Sequence, residues 1–148
     1  MTNVYTSGTF DLFHYGHLNV LLKAKAMGDH LTVGVSTDEL VESYKGINPI
    51  MGYEDRVAIL KQIKCVDRVI EQSTFFDIKQ LGDVDIIVLG TDWENKPFPE
   101  LENALEKLNI KMKYIPYTER LSTSAIKMYI LNNSEKILYN LNERRSET

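Results

Sequence analysis

A chain of 148 residues with 43% hydrophobic content suits one compact domain with a real core, and no apolar run approaches the ~18 residues of a membrane span. One cysteine, Cys65, excludes an intrachain disulfide and a thiolate metal cluster. A net charge of -4 excludes the broad basic field of a general nucleic-acid binder, so an anionic ligand must be held by a local group of cations.

Val4-Tyr5-Thr6 predicts a short first strand, starting too near the amino terminus to leave room for a signal peptide, so a soluble, cytoplasmic protein is expected. A break at Ser7-Gly8-Thr9 follows, then a helix from about Tyr15 to Met27. Its buried face is Leu18, Leu21 and Leu22, widened by Val20, Ala24 and Met27. Gly28-Asp29 ends it, and Leu31-Thr32-Val33-Gly34-Val35 is apolar enough for a strand buried on both faces. A helix begins near Thr37-Asp38. Lys45 to Gly52, rich in Gly, Asn and Pro, is a loop of the length that often carries function, and a helix resumes at about Glu54. A strand at Arg68-Val69-Ile70, a helix from about Phe75 to Leu81 and a strong strand at Asp85-Ile86-Ile87-Val88-Leu89 come next. Leu101, Ala104, Leu105 and Leu108 fall at helical spacing, Met112 to Ile115 is a fifth strand ending at Pro116, and helices begin at about Ser122 and Ser134.

Strands alternating with crossovers of helical length imply a doubly wound, Rossmann-like α/β domain with a five-stranded parallel sheet. Ligands sit at the carboxyl ends of the strands in such folds. The segments to examine are Gly8 to His17, Ser36-Thr37, Gly90 to Trp93 and Tyr117 to Ser124.

The first of these spans the turn from strand one into helix one, where free backbone N–H groups and the positive helix end attract phosphate. His14 and His17, three residues apart, share one side of the first helical turn, and Gly16 between them allows close approach to the backbone. Both imidazoles can then donate to the same phosphate oxygens. Zinc fits less well, because helical zinc pairs are spaced i, i+4 and only His30 and Cys65 remain as further ligands.

The run Gly8-Thr9-Phe10-Asp11 through His14 and His17 resembles G-T-F-D-x-x-H-x-G-H, the signature of the cytidylyltransferase-like branch of the nucleotidyltransferase superfamily. Tyr117-Thr118-Glu119-Arg120-Leu121-Ser122-Thr123-Ser124 is similar to a second motif of that family, R-T-E-G-I-S-T-[ST]. Lys45, Tyr53 to Arg56, Lys64 to Asp67 and Gly90 to Glu94 add to a likeness running from about Asn3 to Ile130, outside which the tail from Leu131 to Thr148 lies. Tyr117 stands where the family has arginine, Arg120 where it has glycine, and Lys64 where arginine is usual. Lysine keeps the charge there but loses the bidentate fork.

The resemblance implies a nucleotidyltransferase-type domain over residues 1–130, with 131–148 a helical extension of it. It implies transfer of CMP from CTP to a small phosphorylated acceptor, glycerol 3-phosphate first among candidates, with release of pyrophosphate, Mg²⁺ accompanying the nucleotide, and a homodimer paired through Lys64 to Asp67. Neither nucleic acid nor membrane is an expected partner. Gly8, Thr9, Phe10, Asp11, His14, His17, Gly90, Asp92, Tyr117, Thr118, Arg120, Ser122, Thr123 and Ser124 are then nucleotide-binding, Lys45, Arg56, Lys64 and Trp93 acceptor-binding, and His14, His17, Lys45, Arg56 and Lys64 catalytic.

Chemistry agrees, because a phosphate monoester has a second pKa near ~6 and its attacking oxygen needs no general base. In-line placement and cations are what the reaction requires. Arg56 and Lys64 lie about 12 Å apart along one predicted helix, where they can hold two anions. Several residues carry two readings. Arg120 either replaces the missing guanidinium or faces solvent; Lys127 and the other lysines can equally be solvated. Ser122 to Ser124 cap a helix or cradle phosphate. Asp92-Trp93 is an exposed turn or a ligand wall, and Asp11 binds Mg²⁺ or braces the turn. Two other functions remain open, an adenylyltransferase acting on a sugar or flavin phosphate and a nucleotide-binding module without turnover.

Overall fold

In the computed structural model of this chain, residues 1–75, 81–90, 99–116, 118 and 121–146 are described. The elements are β1 (Asn3–Gly8), α1 (Tyr15–Lys25), β2 (His30–Ser36), α2 (Asp38–Lys45), α3 (Tyr53–Lys61), β3 (Arg68–Gln72), β4 (Ile86–Gly90), α4 (Pro99–Lys107), β5 (Lys111–Ile115), α5 (Thr123–Asn132) and α6 (Ser134–Ser146). The strands form one five-stranded sheet in the order β3-β2-β1-β4-β5, and every adjacent pair is parallel. The doubly wound α/β reading therefore holds.

Side-chain alternation sorts the sheet into two cores, as the period of two requires. Val4, Leu31, Val33, Val35 and Val88 face Leu21 and Ala24 of α1 and Leu60 of α3. On the opposite face Tyr5, Ile87 and Leu89 pack with Leu81, Val84 and Leu105. Gly34 is explained by the second face, because a Cβ there would come within 2.1 Å of the Tyr5 hydroxyl oxygen. Burial raises the Tyr5 pKa to about 12, against a lowering hydrogen bond with Ser7.

Winding runs from β1 outward through β2 to β3, then restarts on the other side of β1 with β4 and β5. The switch point between β1 and β4 opens a crevice at the carboxyl ends of the strands. Beyond β5, α5 and α6 form a helical pair, and α5 has no fully buried residue.

Two boundaries differ from expectation. α3 stops at Lys61, because Ile63 and Val66 turn inward to pack on the first core. β3 continues to Gln72, paired with Ser36, two residues beyond the last apolar position.

Candidate active site

At the start of α1 the helix is capped by its own two histidines. His14 is the N-cap residue; its Nδ1 accepts the Gly16 N–H at 3.0 Å, and Nδ1 of His17 accepts the His14 N–H at 3.2 Å. This is a capping box with imidazoles in place of the usual hydroxyl and carboxamide. A ring nitrogen that accepts is unprotonated, so both imidazoles are neutral and carry their proton on Nε2. Thr123 points the same way. Its hydroxyl donates to the Asp11 carbonyl at 2.9 Å and so can only accept from Nε2 of His14, 3.4 Å away. The rings stack with centroids 3.8 Å apart, while Phe13 stacks on His17 and Phe10 meets it edge-on.

Burial holds the His14 pKa below its usual value. Burial, and then the neighbouring His14, lower that of His17 to about 4 against a small opposing pull from Asp11. The unfolded chain therefore takes up a proton at His17 between pH ~6.5 and ~4 that the folded chain refuses. Stability is expected to fall through that window by roughly 2–3 kcal/mol as the solution is acidified. Urea midpoints at pH 7 and 4.5 check this: the loss should shrink in His17→Gln, and an equal loss in both proteins contradicts the assignment.

Gly16 is required by geometry other than ligand approach. A Cβ there would lie 2.8 Å from Cε1 of His14 and 2.9 Å from the Leu121 carbonyl oxygen. The space belongs to the His14 ring and to the segment leading into α5.

Asp11 is a brace. It is 5% exposed, and its carboxylate oxygens accept the N–H groups of Ile50 and Met51 at 2.8 and 2.9 Å, tying the α2–α3 loop to the histidine turn. Its neighbours Phe10 and Leu12 adopt left-handed backbone, φ 56° and 52°, a conformation that costs a non-glycine residue about 1–2 kcal/mol.

Arg56 departs from the expectation of an anion-facing cation. At 1% exposure it donates Nε–H to Met51 O, Nη1 to Thr9 O and Ser36 O, and Nη2 to the Asp38 carboxylate at 2.7 Å. Its donors hold the turn, the end of β2 and the loop together. Lys64 also departs, since it lies past the end of α3 in an exposed turn at the amino ends of the strands, with the crevice at their carboxyl ends. The pair is not on one helix, and one chain does not bring both to the site. Beside that turn, Lys25 pairs with Asp67.

A cavity of about 410 Å³ occupies the crevice. Gly8, Thr9, Phe10, Asp11 and His17 line its centre, Gly90, Thr123 and Lys127 one side, and Lys45 the rim. Lys45 ends α2, and its Nζ lies 5.7 Å from the Tyr44 ring centre. Of the three hydroxyls opening α5, Ser122 caps the helix by accepting the Ala125 N–H, Thr123 enters the cavity, and Ser124 is exposed. Thr118 accepts from Asn19 Nδ2 at 3.1 Å, joining the second motif to α1. Asp92, Trp93, Tyr117 and Arg120 lie outside the described residues. Ser7, Ser36, Gln72, Tyr44 and Phe75 also line the cavity. Sequence reasoning had flagged Ser36 among the strand ends but missed Gln72, which the strand-end rule finds once β3 is extended to it.

Among the described residues no three His, Cys, Asp or Glu side chains gather to hold a metal ion. Both Asp11 oxygens accept backbone N–H groups, and the described residues offer no ligand set for a resident metal.

Paired imidazoles at a helix start, on the switch point of a parallel sheet, suit a phosphate-bearing ligand. The comparisons are specific. A Cytidylyltransferase-like family model matches residues 5–129. The chain is 41% identical over 130 residues to a glycerol-3-phosphate cytidylyltransferase of Bacillus subtilis (strain 168), covering 86% of this chain and 95% of that one. Against the enzyme of that name from Staphylococcus aureus (strain NCTC 8325 / PS 47) it is 37% identical over 139 residues, covering 92% and 100%. The crystal structure of the lipopolysaccharide core biosynthesis protein from Thermoplasma volcanium GSS1 superposes with a TM-score of 0.66 at 32% identity, covering 80% of this chain and 97% of that one. The chain belongs to the cytidylyltransferase-like family.

Proposed function

We propose that this protein transfers CMP from CTP to glycerol 3-phosphate. The observation that carries the reading is the pair of neutral imidazoles whose Nδ1 atoms are committed to backbone N–H groups, leaving Nε2–H donors at a helix start. The acceptor's ionised phosphate oxygen attacks the α-phosphorus; the new P–O bond forms as the bond to the bridging oxygen breaks, and pyrophosphate leaves with the electron pair. No general base is needed. His14 and His17 donate to the oxygens on which charge develops; His14 exchanges its 3.4 Å contact with Thr123 for the substrate oxygen, while the helix cap keeps both tautomers fixed. Lys45 and Lys127 add positive charge on either side of the turn. Arg56 acts through the Thr9 and Ser36 carbonyls as a positioning residue.

The nucleoside lies toward Gly90 and α5, next to the segments carrying the second motif. Mg²⁺ arrives as the counter-ion of the triphosphate, held by phosphate oxygens and water, so a chelator should abolish turnover and Mg²⁺ restore it. Dependence on CTP supports a cytoplasmic location. The family likeness at Lys64 to Asp67 supports a homodimer, which sedimentation tests against a single species of 17.0 kDa.

Pyrophosphate release with glycerol 3-phosphate and each of the four ribonucleoside triphosphates tests the whole reading. Turnover confined to CTP is expected. Preference for ATP would move the protein to adenylyl transfer, and silence with all four would leave a binding module.

A further inference from the structure

The β2–β3 side of the cavity is floored by uncharged groups that phosphoryl transfer leaves unused. Gln72 and Ser36 end neighbouring strands in register and are 5% and 2% exposed. Ser36 Oγ donates to Gln72 Oε1 at 2.9 Å, and Gln72 Nε2 donates to Ser7 Oγ at 3.1 Å. Ser7 in turn bonds the Tyr5 hydroxyl. A carboxamide offers two N–H donors and two acceptor lone pairs. These bonds use one of each and fix the amide's orientation, so they leave one donor and one acceptor lone pair of this cavity-lining residue unused.

The surroundings say what would meet them. Tyr44 and Phe75 form an edge-to-face pair, ring centres 5.2 Å apart and both exposed, beside the floor. Lys45 at the rim supplies a cation for a phosphate. Among the described residues the one carboxylate lining the cavity is Asp11, whose oxygens accept the N–H groups of Ile50 and Met51. An ammonium group would find no carboxylate among Gln72, Ser36 and Ser7, whereas adjacent hydroxyls match an amide donor and acceptor. In-line attack further demands that the acceptor approach from the side opposite the leaving pyrophosphate, and the cavity has lining residues from β2 and β3 on one side of the central strand β1 and from β4 on the other.

We infer that Gln72, held by Ser36 and Ser7, is the specificity-determining residue that reads the hydroxyl groups of the acceptor and selects a polyol phosphate over an amine-bearing one. The inference rests on the cytidylyl-transfer reading above and names its acceptor subsite.

The test compares glycerol 3-phosphate with its two mono-deoxy analogues. The wild-type protein should lose at least ~10-fold in kcat/KM with one of them, the scale expected when a buried polar group is left unpaired. In Gln72→Leu that discrimination should collapse to about twofold, while the KM for CTP changes less than about twofold. Discrimination that persists, or a rise in the KM for CTP without one for the acceptor, overturns the inference. Should Gln72→Leu fail to fold because Ser36 and Ser7 lose their partner, Gln72→Glu keeps the bond from Ser36. It turns a carboxylate toward an anionic acceptor, and its Kd for glycerol 3-phosphate should rise at least ~10-fold. Calorimetric binding of glycerol 3-phosphate needs no turnover. A wild-type chain that binds it yet releases no pyrophosphate from CTP therefore contradicts transfer while still testing Gln72 by the change in Kd, and a wild-type chain that does not bind it overturns the inference itself.

Discussion

Replacing His17 by alanine is expected to lower kcat by roughly 10²–10³-fold with a much smaller change in the KM for CTP, because a donor aimed at developing charge acts on the transition state more than on bound nucleotide. The same ring also caps α1 through Nδ1, so alanine removes a structural acceptor worth about 1 kcal/mol as well. His17→Gln separates the two roles. Glutamine at the third helical position is an ordinary capping-box residue, so this variant should recover most of the lost stability and little of the lost rate. Folded His17→Ala protein with turnover within a few-fold of wild type would remove the histidines from the mechanism.

The second large effect is on the fold. Arg56→Met is expected to destabilise the protein by about 3–5 kcal/mol, the scale for removing a buried charge that holds several acceptors, which corresponds to a fall of roughly 10–16 °C in Tm for a chain of this size. Methionine keeps an unbranched apolar stem, two atoms shorter, and abandons the carbonyls of Thr9, Ser36 and Met51 and the carboxylate of Asp38 together. Arg56→Lys should rescue little, since an ammonium cannot reproduce the planar fork that meets four acceptors. Differential scanning calorimetry decides it, and a Tm within ~2 °C of wild type for Arg56→Met would show that the clamp is dispensable.

These two residues also show why the sequence was readable in one place and opaque in another. The histidine turn is local: strand, glycine, paired imidazoles and helix start occupy consecutive positions, so their geometry follows from the backbone they share. The five parallel strands were legible for the same reason, each being a short apolar run between breaks. Arg56 advertises its charge in the sequence but not the carbonyls it meets, which come from positions 9, 36 and 51 and are brought together only by the fold. Lys64 was misplaced because helical spacing continues past Lys61, while the inward pull of Ile63 and Val66 that ends α3 is a tertiary event. Gln72 was overlooked because a strand end that faces a cavity loses the apolar character by which strands are recognised.

The Ser122 to Ser124 run shows a finer limit. Composition offers three hydroxyls for one job, and only the helix phase assigns Ser122 to the backbone and Thr123 to the cavity.

The register of the sheet has a hereditary consequence. The glycine turn and the two imidazoles proposed to meet the phosphates occupy one unbroken stretch of chain, whereas the floor proposed for the acceptor is assembled from Ser7, Ser36 and Gln72 on three separate strand ends. A contiguous stretch passes whole through recombination or gene fusion, but a scattered floor changes one substitution at a time. In this architecture the reaction is inherited as a block, and the choice of acceptor is the trait left open to drift.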